Sequence, residues 1–319
     1  MLRWGKRAFI GLCGLLIVAV LTGATYQLMS TRNELSATPP PGQLVDVGGH
    51  RLHIWCSGAG APSVILETGL GGSSVDWGFV QPAVAQFTRV CSYDRAGMGY
   101  SDPGPSPRTA GRIARELAQL LDRSGIDGPV VLVGASIGGL VVRVFASEQA
   151  ERAAGLVLVD ATHEDQEHQI PPLARFVPLL SSVGALRLLG VSFGQSPDSL
   201  ESSVRKFAQA TAFRAAGPQA AADELIHIRE SVAEVKATRR KLTLPLIVVT
   251  AGQGADAGWQ ALQRDQASLS DRGCLVTAEQ SGHAIAIGQP QVVVDAIRAV
   301  VNAARGRSGD PLCGSGRME

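Results

Sequence analysis

The sequence predicts an α/β protein whose sheet starts antiparallel, continues parallel and is interrupted by a helical cap. Three observations lead there. Short apolar runs bounded mostly by Gly, Pro or Asp recur at 44–47, 51–56, 63–67, 89–93, 130–133, 156–160, 246–250 and 274–278. The first two are joined by Gly48-Gly49, a hairpin signal, whereas the later ones are separated by stretches of helical periodicity such as 112–123 and 140–148. That order calls for right-handed crossovers in a parallel sheet. Between 161 and 242 the strand signal stops and Ala/Leu/Arg-rich patterns broken by Pro171-Pro172, Gly194 and Gly217-Pro218 take over. A single crossover needs about a dozen residues or a little more, so this stretch reads as an inserted cap.

Taken in order, the chain opens with Arg3, Lys6 and Arg7, followed by no charged residue from Ala8 to Thr31. Residues 1–30 read as a positive-inside membrane anchor of spanning length. The competing reading is a cleaved signal peptide with Thr22-Gly23-Ala24 as its small-residue site. Either way the domain is exported: held at a membrane outside the cytoplasm, or secreted or periplasmic. Cys13 does not read as a lipid-anchor site, because Leu12 precedes it. Residues 31–42, ending in Pro39-Pro40-Pro41-Gly42, read as a semi-rigid spacer. The folded α/β core is expected over 43–160 and 243–305, the cap over 161–242 and a tail over 306–319.

Composition narrows the function classes. The 319 residues are 45% hydrophobic and 18% charged with 37 glycines, the profile of a buried sheet joined by tight turns. A net charge of +1 and the absence of a Lys/Arg run interleaved with aromatics give no footprint for nucleic acid. Small neutral or amphiphilic substrates fit better. Cys56, Cys91, Cys274 and Cys313 form an even set that an oxidising compartment allows to pair, although Cys56 and Cys91 also fit as small buried hydrophobes. No CxxC pair suggests zinc, and His163, Glu164, Asp165, Glu167 and His168 match no familiar ligand spacing. No metal or organic cofactor is called for.

The strongest chemical signal is Val130-Val131-Leu132-Val133-Gly134-Ala135-Ser136-Ile137-Gly138-Gly139, a buried strand running through G-x-S-x-G into a helix. Glycines two before and two after the serine suit a turn too sharp for side chains, which lifts the hydroxyl clear of the sheet. Ser136 also stands at a helix N-terminus, where free N–H groups favour developing negative charge. A serine needs a base. His283, in Ser281-Gly282-His283 after the last strand, lies at the carboxyl edge of the sheet and follows the serine in chain order; His50, His53 and His227 suit solvated or packed roles. Two residues compete for the acid. Asp160 ends the 156–160 run, and Asp256 follows the next strand in a Gly-rich loop; Asp160 is preferred, with Asp256 the alternative or a helix N-cap. Oxyanion donors are expected from the amides of Ile137 and of Leu70, in Thr68-Gly69-Leu70-Gly71-Gly72.

Together these residues resemble the α/β-hydrolase superfamily from about Gln43 to Val301, the cap excepted. Tyr93-Asp94-Arg95-Ala96-Gly97-Met98-Gly99-Tyr100-Ser101-Asp102, the stretch 155–161 and Ser281-Gly282-His283 resemble its branch of esterases, C–C hydrolases, non-haem haloperoxidase relatives and epoxide hydrolases. The sequence departs at Thr68, where many relatives carry histidine. The resemblance implies a mostly parallel eight-stranded sheet with a helical cap, and acyl transfer to water through a Ser-His-Asp triad. Epoxide and haloalkane enzymes of the branch use an aspartate nucleophile, so Ser136 argues against both activities. A carboxylic ester of modest or lipid-like size is the expected substrate. The alternatives are a thioesterase, C–C hydrolase or acyltransferase on the same triad, or a non-catalytic ligand-binding member. Gly97 and Gly99 are expected to shape turns near the site, with Asp94 and Arg95 bracing that loop.

Overall fold

The computed structural model describes residues 2–192, 199–306 and 312–313. Eight strands, β1 Gln43–Asp46, β2 Arg51–Ser57, β3 Ser63–Glu67, β4 Val90–Tyr93, β5 Val130–Ala135, β6 Ala153–Val159, β7 Leu246–Ala251 and β8 Gly273–Ala278, form one sheet in the order β1-β2-β4-β3-β5-β6-β7-β8. β2 runs antiparallel to both β1 and β4, and every later pairing is parallel. The expected antiparallel start and parallel continuation are both present. In the β1–β2 turn Gly48 and Gly49 adopt φ of 100° and 106°, and Asp46 Oδ1 accepts from both of their amides.

The helices are α1 Leu2–Ala37, α2 Gln81–Val84, α3 Ala110–Arg123, α4 Gly138–Glu148, α5 Val177–Ser182, α6 Ala185–Leu188, α7 Ser202–Thr211, α8 Ala216–Ile226, α9 Ile228–Thr238, α10 Ala257–Ala267, α11 Ile285–Gly288 and α12 Pro290–Ala304. The central strands are apolar on both faces because both are covered. Ile65, Leu132, Leu156, Leu158 and Val248 pack with the inner faces of α3, α4 and α9. Val64, Leu66, Val131, Val133, Val157 and Val249 face Val293, Val294, Ile297, Val300 and Val301 of α12, whose spacing is that of one helical stripe.

The expected spacer is shorter than the sequence suggests. α1 carries the chain to Ala37, leaving 38–42 as the link. The cause is tertiary: Gln27 is buried and donates to the Phe213 carbonyl at 2.7 Å, and Glu34 accepts from Arg187 of α6. The 161–242 stretch also divides. α5 to α8 form the cap, whereas α9 buries Ile228 and Val235 in the core layer beside α3 and α4. The four even cysteines pair as Cys56–Cys91, directly opposite on β2 and β4, and Cys274–Cys313, which ties the tail to β8. Of the expected tail, only Gly306, Leu312 and Cys313 lie within the described residues.

Candidate active site

The nucleophile position follows from local sterics. Ser136 joins β5 to α4 with φ of +51°, a conformation costly for a residue with a side chain and stored at functional turns. Its neighbours have no room for one: a Cβ on Gly134 would stand 2.6 Å from Val142 Cγ2, and one on Gly138 2.4 Å from the Thr68 carbonyl oxygen. Ser136 is tied to the next strand by its amide, which donates to Val159 O at 3.1 Å, and by its carbonyl, which accepts from Thr162 N at 2.9 Å. The backbone of residue 136 therefore lies against that of 159–162, beside Asp160.

Asp160 is the second non-glycine residue with positive φ, +42°. One carboxylate oxygen, Oδ2, stands 2.6 Å from His283 Nδ1. The other, Oδ1, accepts from Ala251 N at 3.0 Å, Trp259 Nε1 at 2.8 Å and Thr250 Oγ1 at 3.3 Å. Burial pushes this carboxyl up, but the hydrogen bonds from His283, Ala251 and Trp259 outweigh it and hold the pKa below its ordinary value. The Asp160 side chain is 4% exposed and that of His283 60%, so the acid is sealed while the imidazole remains reachable. Asp256 is elsewhere engaged: it is the N-cap of α10, its Oδ1 accepting from Trp259 N at 2.7 Å. The roles of Trp259 and Thr250 are not legible in the sequence, since they depend on α10 folding back over the end of β7.

The loop after β3 packs directly on the elbow. A Cβ on Gly69 would stand 3.1 Å from Ser136 Cβ and 3.7 Å from its Oγ. Among the described residues, neither the Leu70 nor the Ile137 amide donates to an acceptor. Behind this loop lies Arg95, fully buried, donating to the carbonyls of Thr68 and Gly69 at 2.7 Å each and paired with Glu67 and with both oxygens of Glu224 on α8. Burial lowers the Arg95 pKa, yet the Glu224 and Glu67 carboxylates outweigh it and keep the guanidinium charged. The Arg95 side chain thus braces the 68–69 loop and the cap, while its carbonyl accepts from Met98 N at 2.8 Å in the turn that follows, as its position in sequence suggests. Asp94 braces that turn, accepting from Tyr100 N at 2.9 Å and Ser74 N at 2.6 Å, and from buried His53 at 2.8 Å. His163 Nε2 is hydrogen-bonded to Asp265 at 2.7 Å, and Glu164 is held in an ion pair with Arg143.

A parallel sheet with a strained Ser-bearing strand–helix turn, a carboxylate–imidazole pair at the same edge and a helical cap defines the α/β-hydrolase class of enzyme. The chain belongs to the alpha/beta hydrolase family, whose family model matches residues 64–296, well over half its length. An AB hydrolase superfamily protein of Gibberella zeae is 26% identical across 76% of this chain and 87% of its own. A probable transporter, efuK, of Hormonema carpetanum is 35% identical, but the match covers 40% of this chain and only 20% of that protein. A thermophilic esterase from Thermogutta terrifontis shares the fold with a TM-score of 0.64 at 22% identity, over 83% of this chain and 99% of that one.

Proposed function

We propose that the protein is a serine hydrolase of carboxylic esters, with Ser136 as nucleophile, His283 as base and Asp160 as the acid that orients it. The observation that carries the reading is the 2.6 Å contact between His283 Nδ1 and Asp160 Oδ2 at the edge where Ser136 stands in its strained turn. Asp160 fixes the proton on Nδ1, leaving Nε2 free to accept the Ser136 hydroxyl proton as Oγ attacks the ester carbonyl. The amides of Ile137 and Leu70 would receive the oxyanion, with Arg95 fixing the loop that presents Leu70. His283 then gives that proton to the departing alkoxide, deprotonates a water that attacks the acyl-enzyme, and returns the water's proton to Ser136 Oγ as the acid is released. The esterase among the structural neighbours is in keeping with this chemistry.

The same reading makes α1 an uncleaved membrane anchor with the catalytic domain outside the cytoplasm. α1 is the one described helix long and apolar enough to cross a membrane. The fit of Gly23 against Val183 O and the burial of Gln27 favour its retention over signal cleavage. The test is fluorophosphonate labelling and hydrolysis of nitrophenyl esters and thioesters of graded chain length by the full chain and by Ser136→Ala. Labelling and turnover are expected to vanish together in the variant. A folded, unlabelled wild type would refute the assignment and leave a ligand-binding member of the fold.

A further inference from the structure

The cap leaves a ridge of large apolar side chains uncovered. Leu173 (73% exposed), Leu179 (61%), Leu188 (73%) and Leu189 (75%), with half-exposed Phe176, project from α5, α6 and the turn before them. Contiguous exposure of this kind marks an interaction surface. From Val177 to Ser192 the one charged residue is Arg187, and its guanidinium is paired with Glu34 of α1. Much of the backbone is also internally bonded: the amides of Val183, Gly184, Leu188, Leu189, Gly190 and Val191 donate to carbonyls within the same segment. From Val177 onward the segment thus presents little charge and few open amides to hydrocarbon, while exposed Arg175, between Leu173 and Phe176, is long enough to reach the headgroups.

Position identifies the occupant. At 1.5 Å per residue, a hydrocarbon layer of about 30 Å takes about 20 residues of helix. Counted from Arg7, the last cation before the apolar run, the layer ends near Gln27, beside half-exposed Tyr26, a residue type concentrated at membrane interfaces. Gly23 lies about four residues, hence about 6 Å, inside that boundary. There α1 meets the corner between α5 and α6: a Cβ on Gly23 would stand 2.3 Å from Val183 O, and one on Gly184 3.0 Å from Gly23 O. A corner held against the helix at that depth lies below the headgroups.

We propose that the α5–α6 ridge is embedded in the outer leaflet of the bilayer that α1 spans, so that the cap as well as the anchor attaches the enzyme to lipid. This rests on the reading of α1 as a retained anchor. It places the cap where esters dissolved in the membrane are concentrated.

The test uses the full chain with Cys13→Ser, reconstituted in vesicles of phosphatidylcholine and phosphatidylglycerol. Single environment-sensitive labels are attached through Leu188→Cys on the ridge, Leu16→Cys within α1 and Gln291→Cys on α12. Quenching by lipids brominated at graded positions along their chains, from the headgroup end to the chain ends, reports depth. The expected result is a blue-shifted, quenched label at Leu188 and at Leu16, with Gln291 unaffected. A quenched Leu16 label with a water-exposed Leu188 label overturns the proposal and leaves the anchor standing. An unquenched Leu16 label overturns both. A blue-shifted but unquenched Leu188 label, with cross-linking between copies, assigns the ridge to a second copy and also overturns it.

Discussion

Replacing Asp160 by asparagine tests the triad more sharply than removing the side chain, because the structure dictates how the amide must sit. Three donors, Ala251 N, Trp259 Nε1 and Thr250 Oγ1, converge on Oδ1. An asparagine therefore turns its carbonyl oxygen toward them, since the opposite flip would face an NH2 with three donors and leave buried groups unpaired. Its NH2 then faces His283 Nδ1, which must become an acceptor. The imidazole proton moves to Nε2, and the nitrogen needed to take the Ser136 proton is occupied. A wrong-tautomer histidine in a serine triad lowers kcat by about 10^4, equivalent to about 5 kcal/mol of transition-state stabilisation. The assay is the steady-state rate with a short-chain nitrophenyl ester, alongside the thermal midpoint of each variant. Asp160→Asn is expected to lose about three to four orders of magnitude in kcat while remaining folded. Asp256→Asn is expected to retain activity within about twofold, because asparagine caps a helix nearly as well as aspartate. An Asp160→Asn enzyme with a tenth or more of wild-type activity, or a comparable collapse in Asp256→Asn, would refute the assignment.

Three further outcomes follow from the structure. Arg95→Met leaves Glu67 and Glu224 buried without their cation and is expected to cost about 3–5 kcal/mol in urea unfolding, whereas Glu224→Gln, which keeps the Arg95–Glu67 pair, costs less. The bridges Cys56–Cys91 and Cys274–Cys313 close segments separated by 35 and 39 residues. The chain-entropy relation gives about 4 kcal/mol for each, so reductant should lower the thermal midpoint by about 10 °C or more, and Cys274→Ser should reproduce part of the fall. Burial alone would raise Asp94, but His53 and the Ser74 and Tyr100 amides hold it down to about 2. The unfolded chain, with its aspartate near 3.9, therefore binds the extra proton first, and the contribution is full above about pH 5 and lost as pH falls toward 2. Asp94→Asn should flatten that acid limb in a series of unfolding curves, and an unchanged limb would show that another carboxylate governs it.

Much of the fold and part of the site can be read along the chain, because they depend on local rules. Alternating apolar runs separated by helical periods specify a parallel sheet covered on both faces, and G-x-S-x-G between a buried strand and a helix admits almost only one backbone path. The eight strands, the Gly48-Gly49 hairpin and the strained turn at Ser136 are of this kind. His283 is legible for the same reason, as the histidine of a glycine-flanked loop after the last strand. The choice between Asp160 and Asp256 is not local: both follow apolar strands, and only the convergence of His283, Trp259 and the end of β7 separates one from the other. The place of Arg95 is hidden for a similar reason, since its partners Glu67 and Glu224 are 28 and 129 residues away in sequence. The same holds for the helical continuation of α1 to Ala37, which Arg187 secures from the cap, and for the pairing of the cysteines. Sequence by itself determined which segments become strands, where the chain must turn on a serine and that its start is apolar enough to span a bilayer. Tertiary structure alone decided which carboxylate meets the imidazole, which arginine holds the loop and where the cap rests on α1, because hydrogen bonds and buried ion pairs form between groups that folding, not chain order, brings within 3 Å.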